Sequence, residues 1–170
     1  MKLIPFTPAH FSTLASWFTT EAALIQFGGP NLTYPLDAPQ MQAMLAEGDF
    51  HPPLRLCWMA VAEDAVVGHA QLAFDWRNGT ARLGRVAIAP TLRGRKLAAP
   101  MLRLVMAEAF KNPTKMRLEL NAYAFNQVAI HTYLTLGFLV EGTLRSSVAV
   151  GADRWDTVVM AVLRSDYHPA

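Results

Sequence analysis

Arg85-Val86-Ala87-Ile88-Ala89-Pro90-Thr91-Leu92-Arg93-Gly94-Arg95-Lys96-Leu97-Ala98 is the stretch on which the fold turns. Its first part is apolar, with β-branched Val86 and Ile88, and reads as a strand; Pro90 stops it, because proline has no amide hydrogen to give a ladder. Its last part opens a helical pattern. Leu97, Met101, Leu102, Val105 and Ala109 recur at helical spacing and predict a helix over 97–110. Between the two lie Arg93, Gly94, Arg95 and Lys96. Cations are misplaced at a helix start, where the macrodipole is positive and each costs roughly 0.3–1 kcal/mol. The amides of a first helical turn have no internal partner and also point at an anion. A multiply charged phosphate ligand resolves the misfit, with Gly94 admitting close backbone approach and Ala98 keeping the first turn slim. Ligands favour the crevice outside a strand's carboxyl end, which is where this loop sits. A solvated basic loop, screened at physiological salt, is the other reading of the same residues.

Working outward, 56–61 is a nearly continuous apolar run, expected to be a strand buried on both faces. Strands are expected at 66–75 and 80–89, joined through Asn78-Gly79, a hairpin signal. The centre is therefore an antiparallel meander. Upstream, 3–6 opens as a strand, and Thr7-Pro8 reads as an N-cap with proline at the first helical position. A helix follows at 20–27, ended by Gly28-Gly29-Pro30, and Asp37 caps another carrying Met41 and Met44. Downstream, a strand over 115–122 precedes an amphipathic helix over 126–136, closed by Gly137. Strands at 138–141, 143–150 and 154–163 complete the chain. The order implies one domain over 1–170, of α+β (mixed α/β) class, with a central, mostly antiparallel sheet flanked by helices.

The bulk properties exclude several function classes. Hydrophobic residues make up 52% and charged residues 16%, the reverse of a disordered chain. A net charge of +2 is too small a basic excess for a nucleic-acid partner, which would rest on the basic loop alone. No stretch approaches the roughly 20 apolar residues of a membrane span, and the start of the chain lacks a signal-peptide core. The single cysteine, Cys57, permits no intramolecular disulfide and fits a cytoplasmic location.

The strand 86–90 followed by Arg93-Gly94-Arg95-Lys96-Leu97-Ala98 resembles the coenzyme A-binding segment of the GNAT family of N-acetyltransferases, whose pattern is Gln/Arg-x-x-Gly-x-Gly/Ala. Arg93 matches the first position and Ala98 the last; Lys96 stands where glycine is usual. Asn126, Ala129, Tyr133 and Gly137-Phe138 resemble the family's next signature, Asn-x-x-Ala-x-x-x-Tyr-x-x-x-Gly-Phe. Glu141-Gly142-Thr143-Leu144-Arg145, with Asp156 and Met160, is similar to the closing hairpin of the branch containing ribosomal-protein N-terminal and amino-acid acetyltransferases. The likeness runs over 56–163. It implies a GNAT-like fold and an enzyme that moves an acetyl group from acetyl-CoA to a primary amine, on an amino acid, a peptide N-terminus or another small molecule. No metal is expected, and the terminal hairpin, able to pair with a second chain, leaves a monomer or a homodimer as the expectation. By resemblance Val86, Ala87 and Ile88 hold the pantetheine arm and polarise the thioester, while Arg93 to Ala98 (Leu97 among them) hold the pyrophosphate. Asn126 and Ala129 adjoin the arm, and Tyr133 is the acid for the leaving thiolate. A coenzyme A-binding regulatory or sensor module without turnover is the alternative, prompted by Lys96.

The base is less legible. Arg117, Glu119 and Asn121 alternate along one strand face; if that face meets the cleft, Glu119 is placed to take the amine proton, although Arg117 beside it makes it a poorer base. A structural ion pair is the rival reading. Cys57 lies in an apolar run with no cation or histidine beside it in sequence, so direct transfer in a ternary complex is expected rather than an acyl-cysteine. Phe27, Tyr34 and Asn121 are candidate walls of the acceptor cleft.

Overall fold

The computed structural model describes residues 1–168. One seven-stranded sheet runs through it in the order β1-β2-β3-β4-β5-β7-β6. The strands are β1 Lys2–Pro5, β2 Arg55–Ala62, β3 Ala65–Asp75, β4 Thr80–Ile88, β5 Arg117–Tyr123, β6 Leu139–Val150 and β7 Asp153–Leu163. The helices are α1 Phe11–Ala15, α2 Glu21–Gly28, α3 Ala38–Ala46, α4 Ala98–Lys111 and α5 Gln127–Thr135. This is the expected mixed α+β layout. Every neighbouring pair of strands is antiparallel except β4 and β5. A parallel pair needs a crossover, and α4 supplies it.

The hairpin between β3 and β4 forms around Asn78-Gly79, but as a four-residue loop over 76–79 in which Gly79 and not Asn78 has positive φ. Asn78 N donates to Asp75 Oδ1 at 2.9 Å, and Gly79 adopts φ 64°, where a Cβ would also meet the Thr114 carbonyl at 2.6 Å. Thr20 and Asp37 cap α2 and α3 by accepting from Ala23 N and Gln40 N.

The sheet separates two apolar layers. On one face Met101, Leu102, Val105 and Ala109 of α4 pack with Leu72, Leu118, Phe138 and the inner side of α5. On the other, Leu14, Leu24, Phe27 and Met41 of α1–α3 pack on Met59, Ala87 and Ala89. The helices α1–α3 thus cover the β1–β4 half of the sheet, and the same face of β5 is left to polar residues.

Several expectations change in detail. The opening helix starts as a single 3-10 turn, Pro8–His10, before α1. Only Met59, Ala60 and Val61 of β2 are fully buried; the rest of the strand is half-buried, because β2 lies one strand in from the edge. The two strands expected at 138–141 and 143–150 are one strand, β6. Register shifts at Val140/Gly142 and Leu144/Val148 absorb the irregularity that reads in sequence as a break.

The decisive irregularity is in β4. Its register against β3 slips between His69 and Gln71, and Arg85 sits at φ 49°. A bulge bends and twists its strand. Beyond it β4 leaves β5: their pairing runs only from Thr80↔Arg117 to Leu83↔Leu120. After β4 the chain makes a 3-10 turn, Pro90–Leu92, and then a loop in which Gly94 has φ 78° and Lys96 φ 58°. Lys96 is therefore left-handed, which explains why glycine suits this position. A side chain there costs roughly 1–2 kcal/mol, against roughly 0.5–1 kcal/mol of extra chain entropy for glycine. Lys96→Gly is accordingly expected to raise stability by roughly 0.5–1 kcal/mol in urea unfolding; a lower midpoint would show that contacts of the lysine side chain outweigh its backbone strain.

Candidate active site

The diverging ends of β4 and β5 open a cleft of about 570 Å³. Its floor and one wall are β4 from Leu83 to Ile88, and the facing wall is Asn121, Ala122 and Tyr123 of β5. Gly94, Lys96, Leu97 and Ala98 close one end, Asn126, Ala129 and Tyr133 border it from α5, and Phe18, Gln26 and Phe27 come from the α2 side. Backbone groups of β4 beyond Leu83 that point toward β5 have no strand partner, because the ladder has ended.

The basic loop is rich in free donors. Among the described residues the amides of Gly94, Arg95, Lys96, Leu97, Ala98 and Ala99 have no backbone acceptor. Arg93 lines the cleft and its Nε donates to the Ile88 carbonyl at 3.4 Å, fixing the loop onto the strand end. Arg95 is exposed and does not line the cleft, so the three cations expected to act together are divided. This donor set fits a diphosphate, which takes several hydrogen bonds and at least one cation at a helix start.

Asn126 is the N-cap of α5: its Oδ1 accepts from Ala129 N at 3.3 Å, and its amide nitrogen remains for the cleft. Tyr133, one turn beyond Ala129, is buried and meets Phe138 edge-on at a centroid distance of 5.7 Å. Burial pushes its phenol up to about 12, so it carries its proton at neutral pH. No buried side-chain polar atom lacks a partner among the described residues, and the Tyr133 hydroxyl bonds to no protein group, so the hydroxyl opens to the cleft.

Glu119 is not part of the lining. Its carboxylate accepts from Arg82 Nε at 2.8 Å and from Arg117 Nε at 3.0 Å, and Arg117 continues to Glu141 at 2.7 Å. Burial raises the Glu119 pKa, but the hydrogen bonds from Arg82 and Arg117 outweigh it and hold the group below the usual carboxylate range. The geometry favours the ion pair over the base. The Arg82 partner was not legible in sequence, because it depends on the parallel register Arg82↔Glu119.

Phe27 and Asn121 line the cleft, whereas Tyr34 does not: its hydroxyl donates to the Thr19 carbonyl at 3.0 Å. Cys57 is likewise outside it, and burial pushes its thiol up to about 12, which removes it as a nucleophile. His69 is fully buried between Met59 and Gln71 and is pushed down to about 3 by burial, then by Arg85 and His10. Sequence reasoning missed Arg85, Gln26 and Tyr123. Tyr123 was legible, since it continues the alternation of Glu119 and Asn121; the Gly84 before Arg85 was the available sign of a bulge. Gln26 on α2 carried no signal.

Two solved structures of similar fold are spermidine N-acetyltransferases from Vibrio cholerae. One, in complex with CoA and spermine, has 17% identity and a TM-score of 0.81 over 98% of this chain and 96% of that one. The other, a dodecameric structure in an intermediate state, has 17% identity and a TM-score of 0.74 over 96% and 94%. At that identity the likeness carries the fold. Both are spermidine enzymes, so the finer placement in the ribosomal-protein and amino-acid branch suggested by the closing hairpin gains no support from them. Residues 17–138 match the acetyltransferase (GNAT) family, and with the cleft and the fold agreeing, the chain belongs to that family of acetyl-CoA-dependent N-acetyltransferases.

Proposed function

We propose that this chain transfers an acetyl group directly to a primary α-amine held between β4, β5 and α2. The observation that carries this reading is the cleft where the β4–β5 ladder ends, with unpaired strand backbone on one side and the Tyr133 hydroxyl on the other. Arg93, Lys96 and the free amides of the loop would hold the diphosphate of acetyl-CoA. The unpaired edge of β4 at Val86, Ala87 and Ile88 would hydrogen-bond the pantetheine amides, as a neighbouring strand would, and polarise the thioester carbonyl. Acetyl-CoA supplies the activated acyl group.

The amine nitrogen forms the new bond to the carbonyl carbon and the carbon–sulfur bond breaks. Tyr133 gives its proton to the departing sulfur and takes one back from water, and the proton of the amine leaves to water, so that the protons balance. The lining contains no aspartate, glutamate or histidine among the described residues, so the acceptor must reach the cleft with a useful neutral fraction of its own. A peptide-type α-amine, with a pKa near about 8, does so at neutral pH; a free amino acid, whose own carboxylate raises its amine, does so once the cations of the lining lower it again, whereas a lysine-type amine near about 10.4 does not. Lys96 adopts the left-handed backbone that a glycine would, so its presence does not argue for a module that binds without turnover.

Calorimetry with acetyl-CoA is expected to show roughly tenfold weaker binding for Arg93→Ala, the loss of one charge-assisted contact, and a smaller change for Arg95→Ala, which stands outside the lining. Equal effects would return the loop to a uniformly screened basic patch. Tyr133→Phe keeps the ring; kcat should fall by roughly 10²-fold with acetyl-CoA affinity nearly constant. Unchanged turnover would leave Tyr133 as a core residue. Glu119→Gln should keep near-wild-type kcat, with the rate rising through the pKa of the acceptor amine itself. A large loss of kcat in that variant, with the fold intact, would reinstate Glu119 as the base.

A further inference from the structure

Arg85 has a use that the acetyl donor does not supply. Its Nη1 donates to Gln71 Oε1 at 3.0 Å, and Arg55 Nη1 donates to the same oxygen at 3.3 Å. Arg55 is balanced by Glu47 at 3.1 Å, while Arg85 has no carboxylate partner among the described residues. Two guanidiniums thus converge on one neutral oxygen, and one of them lacks an anion. Burial and then Arg55 lower the Arg85 pKa to about 10, so it remains a cation at neutral pH. Gln71 cannot turn to help: its Nε2 lies 3.0 Å from His69 Nε2 and 3.3 Å from Met44 Sδ. A half-buried charge in this state favours any anion that can reach it.

The side on which Arg85 stands is set by the same contacts. Gln71 touches Met44 of α3 and shares Arg55 with Glu47 at the end of α3, so the Arg85 guanidinium is on the α1–α3 face of the sheet. Arg93, Lys96 and the free amides belong to the start of α4, which packs on the opposite face. The phosphates therefore have their own cations elsewhere. The charged residues of the lining are Arg85, Arg93 and Lys96, all basic.

We propose that Arg85 binds a carboxylate carried by the acceptor beside its amine, making a free amino acid or a similar zwitterion the substrate class. This rests on the reading of the cleft as the site of acetyl transfer. With Nη1 committed to Gln71, Nη2 and Nε remain as a parallel pair of donors, the arrangement that accepts a carboxylate on two oxygens. A polyamine would bring further cations into a lining that holds only cations, which separates this chain from the spermidine enzymes that share its fold.

The test compares free amino acids with their α-amides and with spermidine, read by thiol release from acetyl-CoA. The acids should exceed their amides in kcat/KM by roughly 10- to 100-fold, the range for a hydrogen bond to a charged group. That preference should collapse in Arg85→Gln and survive in part in Arg85→Lys, with acetyl-CoA affinity unchanged by calorimetry in both. Titration of N-acetyl amino acids and their amides into the CoA complex reads the same preference without turnover, and on the wild-type protein alone should Arg85→Gln fail to fold. Amides or spermidine used as well as the acids, equal binding of the two product series, or loss of acetyl-CoA affinity in Arg85→Gln would each overturn the carboxylate site while leaving acetyl transfer standing. Absence of both acetyl-CoA binding and thiol release would overturn the two together.

Discussion

The parallel contact between β4 and β5 is the constraint on which the rest of this molecule depends. It is the one parallel pair in the sheet, it requires α4 as its crossover, and it lasts only from Thr80↔Arg117 to Leu83↔Leu120. The bulge at Arg85 ends it. A sheet that stayed closed would pair the backbone of Val86 to Ile88 with β5 and leave no cleft. Because the sheet opens, that backbone is left with donors and acceptors facing a cavity, a state that costs free energy unless solvent or a ligand satisfies it. The crossover also decides where the basic loop lies, since α4 must begin where β4 ends.

The charges around the opening are sorted by which strands lie side by side. Below it, where β4 and β5 still pair, Arg82 meets Glu119, and Arg117 links Glu119 to Glu141; the group is neutral in sum and committed to structure. Above it, the bulge turns Arg85 toward Gln71 and away from any acid. Neighbouring positions on one strand thus have opposite fates. A carboxylate held by two guanidiniums is too weak a base to take a proton from an amine, whereas an unbalanced guanidinium remains available to a substrate.

Lys96 illustrates how backbone shape can outlast a change of residue. The loop needs a left-handed turn to bring its amides together ahead of α4, and glycine is the residue that meets this need at least cost. Lysine meets it with strain and adds a cation to the cleft lining. Judged as a motif, the position is a departure; judged as geometry, it is the same turn with an added charge.

The sequence by itself determined the element order, the antiparallel meander, the buried stripe of α4, the cap Asp37, and the basic loop at a helix start. These are local: each follows from periodicity, capping chemistry or turn residues within a few positions. Within the candidate site the family resemblance reached Val86 to Ile88, Asn126, Ala129 and Tyr133, and strand alternation put Asn121 on the face of Glu119; all but Glu119 line the cleft. Tertiary structure alone decided that Glu119 belongs to Arg82, that Tyr34 turns to Thr19 rather than to the cleft, and that Arg95 points away while Arg85 lies within it. Those outcomes depend on strand register, on one bulge and on which helix covers which face, and the residues concerned are brought together from up to 37 positions apart, as Arg82 and Glu119 are. No local pattern encodes such a pairing, because its energy exists only once the sheet has formed.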